Sequence, residues 1–127
     1  AIGIHVSHPT IVNGASDTVR GTALFFVSVH CLHCIDLLPH IAQIQTSHNL
    51  NIIVYSTGDE EDHQEMKQYF EWDFPVYTFS KQEMAEVFHV KVLPFVLLLS
   101  SDGNLLAKSV VTNEQDFNFM AKTAGSI

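Results

Sequence analysis

The chain reads as an α/β fold, and three observations predict it. Thr22–Val29, Asn51–Ser56 and Phe95–Ser100 are short, largely apolar runs. Such runs suit strands buried on both faces of a parallel sheet. Segments with helical spacing and capping residues separate them. Ser101-Asp102-Gly103-Asn104 then turns one apolar run back into another. This late hairpin makes the sheet mixed.

The elements follow in order. Ile2–Thr10 alternates loosely and reads as an edge strand ended by Pro9. Asn13-Gly14 signals a tight turn within the segment to Arg20. Thr22–Val29 is the first buried strand. Leu32–Ser47 is a helix with two apolar stripes, Ile35/Leu38/Ala42 and Leu37/Ile41/Ile44, kinked at Pro39. Asn51–Ser56 is the next strand. Asp59, Glu60, Glu61 and Asp62 then open a helix running to Phe70 or Glu71, where carboxylates complement the dipole. That acidic run reads as a solvated first turn rather than a metal site.

Phe74–Phe79 is a short extended piece. Ser80 with Glu83 has the spacing of a capping box for a helix over Lys81–Phe88. Phe95–Ser100 and Leu105–Val111 form the hairpin, and Asn113 caps a last helix through about Lys122. Phe70, Trp72 and Phe74 read as core packing, and Phe117 and Met120 as the inner face of the last helix.

Length and charge narrow the function. A chain of 127 residues fits one domain over 1–127, with an N-terminal extension over 1–21 and a core over 22–123. A net charge of −8 with only six Lys and Arg excludes a phosphate-binding face, so no nucleic-acid partner is expected. Protonation of the eight histidines would cancel that charge, although most read as ordinary surface residues. No apolar run reaches the roughly 18 residues of a membrane span. No basic segment followed by an apolar one marks a signal peptide. The chain opens at Ala1 rather than Met, a hint that an N-terminal segment was trimmed and not in itself evidence of secretion.

Cys31-Leu32-His33-Cys34 carries the chemistry, and it holds both cysteines of the chain. A first thiol at a helix N-terminus faces unpaired N–H groups and the positive end of the dipole, which favour the thiolate. The thiolate is the attacking species in thiol–disulfide exchange. Cys31 is therefore the candidate nucleophile and Cys34, one turn further in, the resolving thiol. A protonated His33, with His30 beside Cys31, would lower the Cys31 pKa further. The rival reading is copper or zinc binding, because His30, Cys31, His33 and Cys34 offer four N/S donors in five residues. Residues so close cannot all reach one ion, so a distant ligand would have to help, with His89 the candidate. A redox-inert binding domain is a third reading, which intact Cys31 and Cys34 oppose.

The order of elements and the motifs resemble the thioredoxin-like superfamily, closest to its TlpA/ResA-type thiol–disulfide oxidoreductases. The matching residues are Cys31-x-x-Cys34, Pro39 five positions on, Val92-Leu93-Pro94 before a buried strand, and the Asp102-Gly103 turn. His33 is placed as in the C-x-H-C motif of DsbA-like oxidants. The resemblance implies a thioredoxin-like fold, a redox-active disulfide between Cys31 and Cys34, and no bound cofactor. It also implies that Leu93, before a cis-Pro94, offers its backbone to an extended partner. Pro94 keeps metal away from the thiols in the family at large. Partners would be protein or peptide thiols and disulfides, plus a redox partner that recycles the pair. A monomer outside the cytoplasm, secreted or membrane-anchored, is expected, with the cytoplasm as the alternative. The chain departs from the pattern at four places, the first being Leu32-His33 where a Gly-Pro or Glu-Pro is frequent inside the motif. His30 replaces a tryptophan, and Phe25 and Leu37 stand where relatives carry a carboxylate near the buried thiol.

Overall fold

The computed structural model describes residues 21–124. The strand expected over Ile2–Thr10 and the turn at Asn13-Gly14 lie outside the described residues. The first strand, β1 (Gly21–Val27), is buried along its whole length. It sits in the middle of a five-stranded sheet of order β3-β2-β1-β4-β5. β2 (Asn51–Ser56) and β3 (Val76–Thr78) run parallel to it on one side. On the other side β4 (Phe95–Ser100) pairs antiparallel with β1, and β5 (Leu105–Ser109) pairs antiparallel with β4. The order of elements along the chain and the mixed sheet closed by a late hairpin are as expected.

Alternation along β1 divides the core in two. Ala23, Phe25 and Val27 face a cluster with Cys34, Leu37, Ile41, Ile44 and Phe117. Leu24 and Phe26 face a second cluster with Tyr55, Met84 and Phe88. Phe25 stacks on Phe117 with ring centroids 6.0 Å apart, and Phe26 on Tyr55 at 5.1 Å. Burying side chains of this size stabilises by roughly 1.5–3 kcal/mol each, so the middle of β1 is held rigidly from both faces.

The helix expected over Leu32–Ser47 is three pieces. α1 (Leu32–Leu37) leads into a 3₁₀ turn at Leu38–His40, and α2 (Ile41–His48) follows. Pro39 has no N–H to give the ladder. The Leu38 N–H is shared between the Cys34 and Ile35 carbonyls, and the Ile41 N–H bonds to the Leu38 carbonyl. The inner stripe is Cys34, Leu37, Ile41 and Ile44, all essentially fully buried. Ile35, expected on an apolar stripe, is instead 44% exposed.

Strand ends also differ from expectation. β1 stops at Val27 rather than Val29, because the chain already turns at Ser28. The Ser28 carbonyl accepts the Cys31 N–H at 3.2 Å, and the Val29 N–H bonds to Thr57 Oγ1 at 3.4 Å. β5 stops at Ser109 rather than Val111. Val111 is buried under the last helix, and the Thr112 N–H and hydroxyl both bond to Asp116.

Ser80 with Glu83 and Asn113 cap as predicted, and Asp59 adds a cap where only an acidic first turn was expected. Asp59 and Asp62 form a reciprocal capping box for α3 (Glu60–Phe70), and Ser80 and Glu83 another for α4 (Lys81–Phe88). Asn113 Oδ1 accepts the Asp116 N–H at the start of α5 (Glu114–Ala124). Trp72 and Phe74 are buried, with Phe70 stacked on Trp72 at 5.2 Å. Phe117 and Met120 are the inner face of α5.

Candidate active site

The site forms where central β1 ends and α1 begins. Cys31 is the N-cap of α1, in an extended conformation (φ −106°, ψ 120°). Its Sγ accepts the Cys34 N–H at 3.4 Å, and its carbonyl accepts the Ile35 N–H at 3.0 Å. A sulfur thus takes the place of the hydroxyl or carboxylate oxygen that usually caps a helix. Both cysteines are free thiols. Cys31 is half-buried, whereas Cys34 has no exposed surface.

The two thiols are electrostatically unequal. Partial burial by itself raises the Cys31 pKa. Hydrogen bonds from the Cys34 side chain and from the Cys34 and His33 backbones outweigh it, with help from the charge of Lys81. The result lies below the ordinary value of 9.0. Burial pushes Cys34 the other way, to about 12, and its hydrogen bond to Cys31 adds to the rise. One thiol is therefore poised to ionise and the other is held protonated beneath it.

The remaining predicted residues take distinct places. His33 gives its backbone N–H to the site and leaves its imidazole exposed. His30 is exposed too, and its N–H donates to Ser28 Oγ at 3.2 Å. Leu93 lines a groove with Cys31, the Leu93–Pro94 peptide is cis, and Pro94 is buried. Phe25 and Leu37 are fully buried, so apolar atoms occupy the places where relatives carry a carboxylate. His89 caps the end of α4 at φ 61° and is exposed. Among the described residues no three His, Cys, Asp or Glu side chains converge as a metal site would need. His89 does not join the two thiols.

Sequence reasoning missed the two lysines in the groove. It has a volume of about 190 Å³, and Lys81 and Lys91 line it together with Cys31 and Leu93. Lys81 is 50 positions from Cys31 along the chain, and nothing in the local motif points to it. Leu32, Ile35 and Val92 are exposed apolar side chains.

The chain is similar in sequence and in fold to known proteins. The chain is 25% identical over 115 residues to the methylamine utilization protein MauD of Methylophilus methylotrophus, covering 91% of this chain and 54% of that one. It thus spans about half the length of the curated relatives it matches. StoA of Bacillus subtilis superposes with a TM-score of 0.59 at 19% identity, covering 78% of this chain and 81% of that one. A secreted Mycobacterium tuberculosis disulfide oxidoreductase homologous to Escherichia coli DsbE superposes with a TM-score of 0.64 at 13% identity, covering 84% and 81%. The family model described as thioredoxin-like matches residues 20–105. That span runs from the start of β1 to the start of β5 and includes both thiols and Pro94, and the chain belongs to the thioredoxin-like family.

Proposed function

We propose that this chain is a thiol–disulfide oxidoreductase acting on protein or peptide partners. One observation carries the reading: a reachable thiol with a lowered pKa caps a helix three residues before a fully buried thiol with a raised one. The Cys31 thiolate attacks one sulfur of a partner disulfide. The partner S–S bond breaks, one partner thiolate leaves, and a mixed disulfide to Cys31 forms. Cys34 then gives up its proton and attacks the Cys31 sulfur. The second partner thiolate departs and takes up a proton, leaving a Cys31–Cys34 disulfide. Two electrons have passed to the partner, and the reverse sequence oxidises a partner dithiol.

Leu93, beside cis-Pro94, offers its backbone to the partner's extended chain. His33 and His30, when protonated, add positive charge near Cys31. The lowered Cys31 pKa favours the dithiol form, which tilts the pair toward oxidising or isomerising partner thiols. The electrons reside in the sulfurs, so no cofactor is required, and a separate redox partner recycles the pair. We place the protein, as a monomer, outside the cytoplasm. A stable disulfide chemistry suits that compartment, and one of its structural neighbours is a secreted oxidoreductase.

The test is a pair of variants incubated with a disulfide-bonded protein. Cys31→Ser abolishes exchange, and Cys34→Ser accumulates a mixed disulfide visible on a non-reducing gel. Turnover by Cys31→Ser together with no trapped species in Cys34→Ser would reverse the roles. Thiols that react only after a chelator strips them would replace the reading with metal binding.

A further inference from the structure

The surface on the two sides of Cys31 is electrically different. On the Pro94 side lies the groove of about 190 Å³, whose charged lining is Lys81 and Lys91. No carboxylate among the described residues lines it. These are two of only six Lys and Arg in a chain of net charge −8. On the other side a hollow of about 380 Å³ lies between the end of β1 and α3, with Val29, Ile35 and Tyr69 beside Asp62 and Glu65. A partner strand lying along Leu93 passes the cations on one side of its sulfur only.

Resting on the oxidoreductase reading, we propose that Lys81 and Lys91 select partners carrying a carboxylate side chain next to the reactive cysteine. The groove is large enough for one acidic side chain and opens directly beside the Cys31 sulfur. Its walls are Met84 and Val90, with Ser28 as a further hydrogen-bonding group. Apolar walls lower the local dielectric and strengthen the attraction of a carboxylate to the two ammonium groups. A basic flanking residue would instead meet like charge, and that repulsion gives selectivity against such partners. Elsewhere the surplus of carboxylates repels acidic chains, so the preference is confined to the residues beside the partner's sulfur.

Three synthetic peptide disulfides test this, identical except for Glu, Gln or Lys next to the cysteine. The second-order rate of their reduction by the reduced protein is followed at pH 7. The Glu peptide should react on the order of tenfold faster than the Lys peptide at low salt, as expected for two exposed ion pairs. The ratio should shrink toward one as ionic strength rises from roughly 0.05 to 0.5 M. The Lys81→Gln/Lys91→Gln double variant should bring the ratio near one while still reacting with the Gln peptide. Loss of the Lys81 charge also raises the Cys31 pKa, but that slows all three peptides alike and leaves the ratio as the readout. Equal rates in the wild-type protein, or a preference surviving in the double variant, would overturn the proposal and leave the oxidoreductase reading standing. Failure of the reduced protein with all three peptide disulfides, together with failure of the oxidised protein with the same three peptides as thiols, would overturn both.

Discussion

Cys31 and Cys34 are one residue type three positions apart, and the fold gives them opposite acidities. The difference comes from depth. Cys31 stands at the helix mouth, where N–H groups point at it, and Cys34 is one turn down among Leu37, Ile41 and Phe25. Only the thiolate reacts with alkylating agents at an appreciable rate. The rate of iodoacetamide labelling against pH should therefore give a midpoint below 9.0, with all label on Cys31. Lys81→Gln should move the midpoint up. A midpoint at or above 9.0, or label on Cys34, would contradict the assignment. The sequence showed the thiols and which of them stands at the helix mouth, because a helix start is a local feature. It could not show Lys81 and Lys91. They line the groove beside Cys31 only because α4 and the segment before β4 pack beside the end of β1, and that is a product of the whole sheet.

At the scale of elements, local rules were legible wherever a side chain acts on its own backbone. Ser80 with Glu83 and Asn113 with Asp116 cap as their spacing implies. What spacing could not decide was which of two apolar stripes on Leu32–Ser47 faces the sheet. Packing against β1 decides it: Cys34, Leu37, Ile41 and Ile44 follow one another at helical spacing and are buried in its cluster, and Ile35 is left outside. Strand packing imposes a second constraint that spacing does not show. A Cβ on Gly21 would lie 2.1 Å from the Leu99 carbonyl oxygen on β4, closer than any real contact. Gly21→Ala must therefore push β1 and β4 apart where they pair. Overpacking of this kind costs about 1–3 kcal/mol, so the variant should melt several degrees lower. An unchanged melting temperature would mean that the pairing at this end of β1 yields freely.

At the scale of the whole molecule, the two thiols link redox state to stability. The dithiol form carries both titrating groups, and the disulfide form carries neither. Every other charge is common to both, so the difference in unfolding free energy isolates Cys31 and Cys34. In the unfolded chain both titrate near 9.0. The folded Cys31 is a stronger acid than that. As pH rises from its lowered value toward 9.0 the unfolded chain binds more protons than the fold, and the dithiol form gains stability. On acidification through the folded value that contribution is lost. Cys34 has the opposite sign, since its folded value is raised to about 12. Between 9.0 and about 12 the fold holds a proton that the unfolded chain has released, and the dithiol form loses stability as pH rises. The dithiol-minus-disulfide difference should therefore climb as pH rises toward 9, peak near pH 9 and decline beyond it. Urea unfolding of the two forms across pH 6 to 10.5 measures it directly. A difference that stays flat would show that the fold leaves both thiols at their ordinary acidity. A rise with no decline above pH 9 would show that Cys34 is not shielded from solvent as its burial implies.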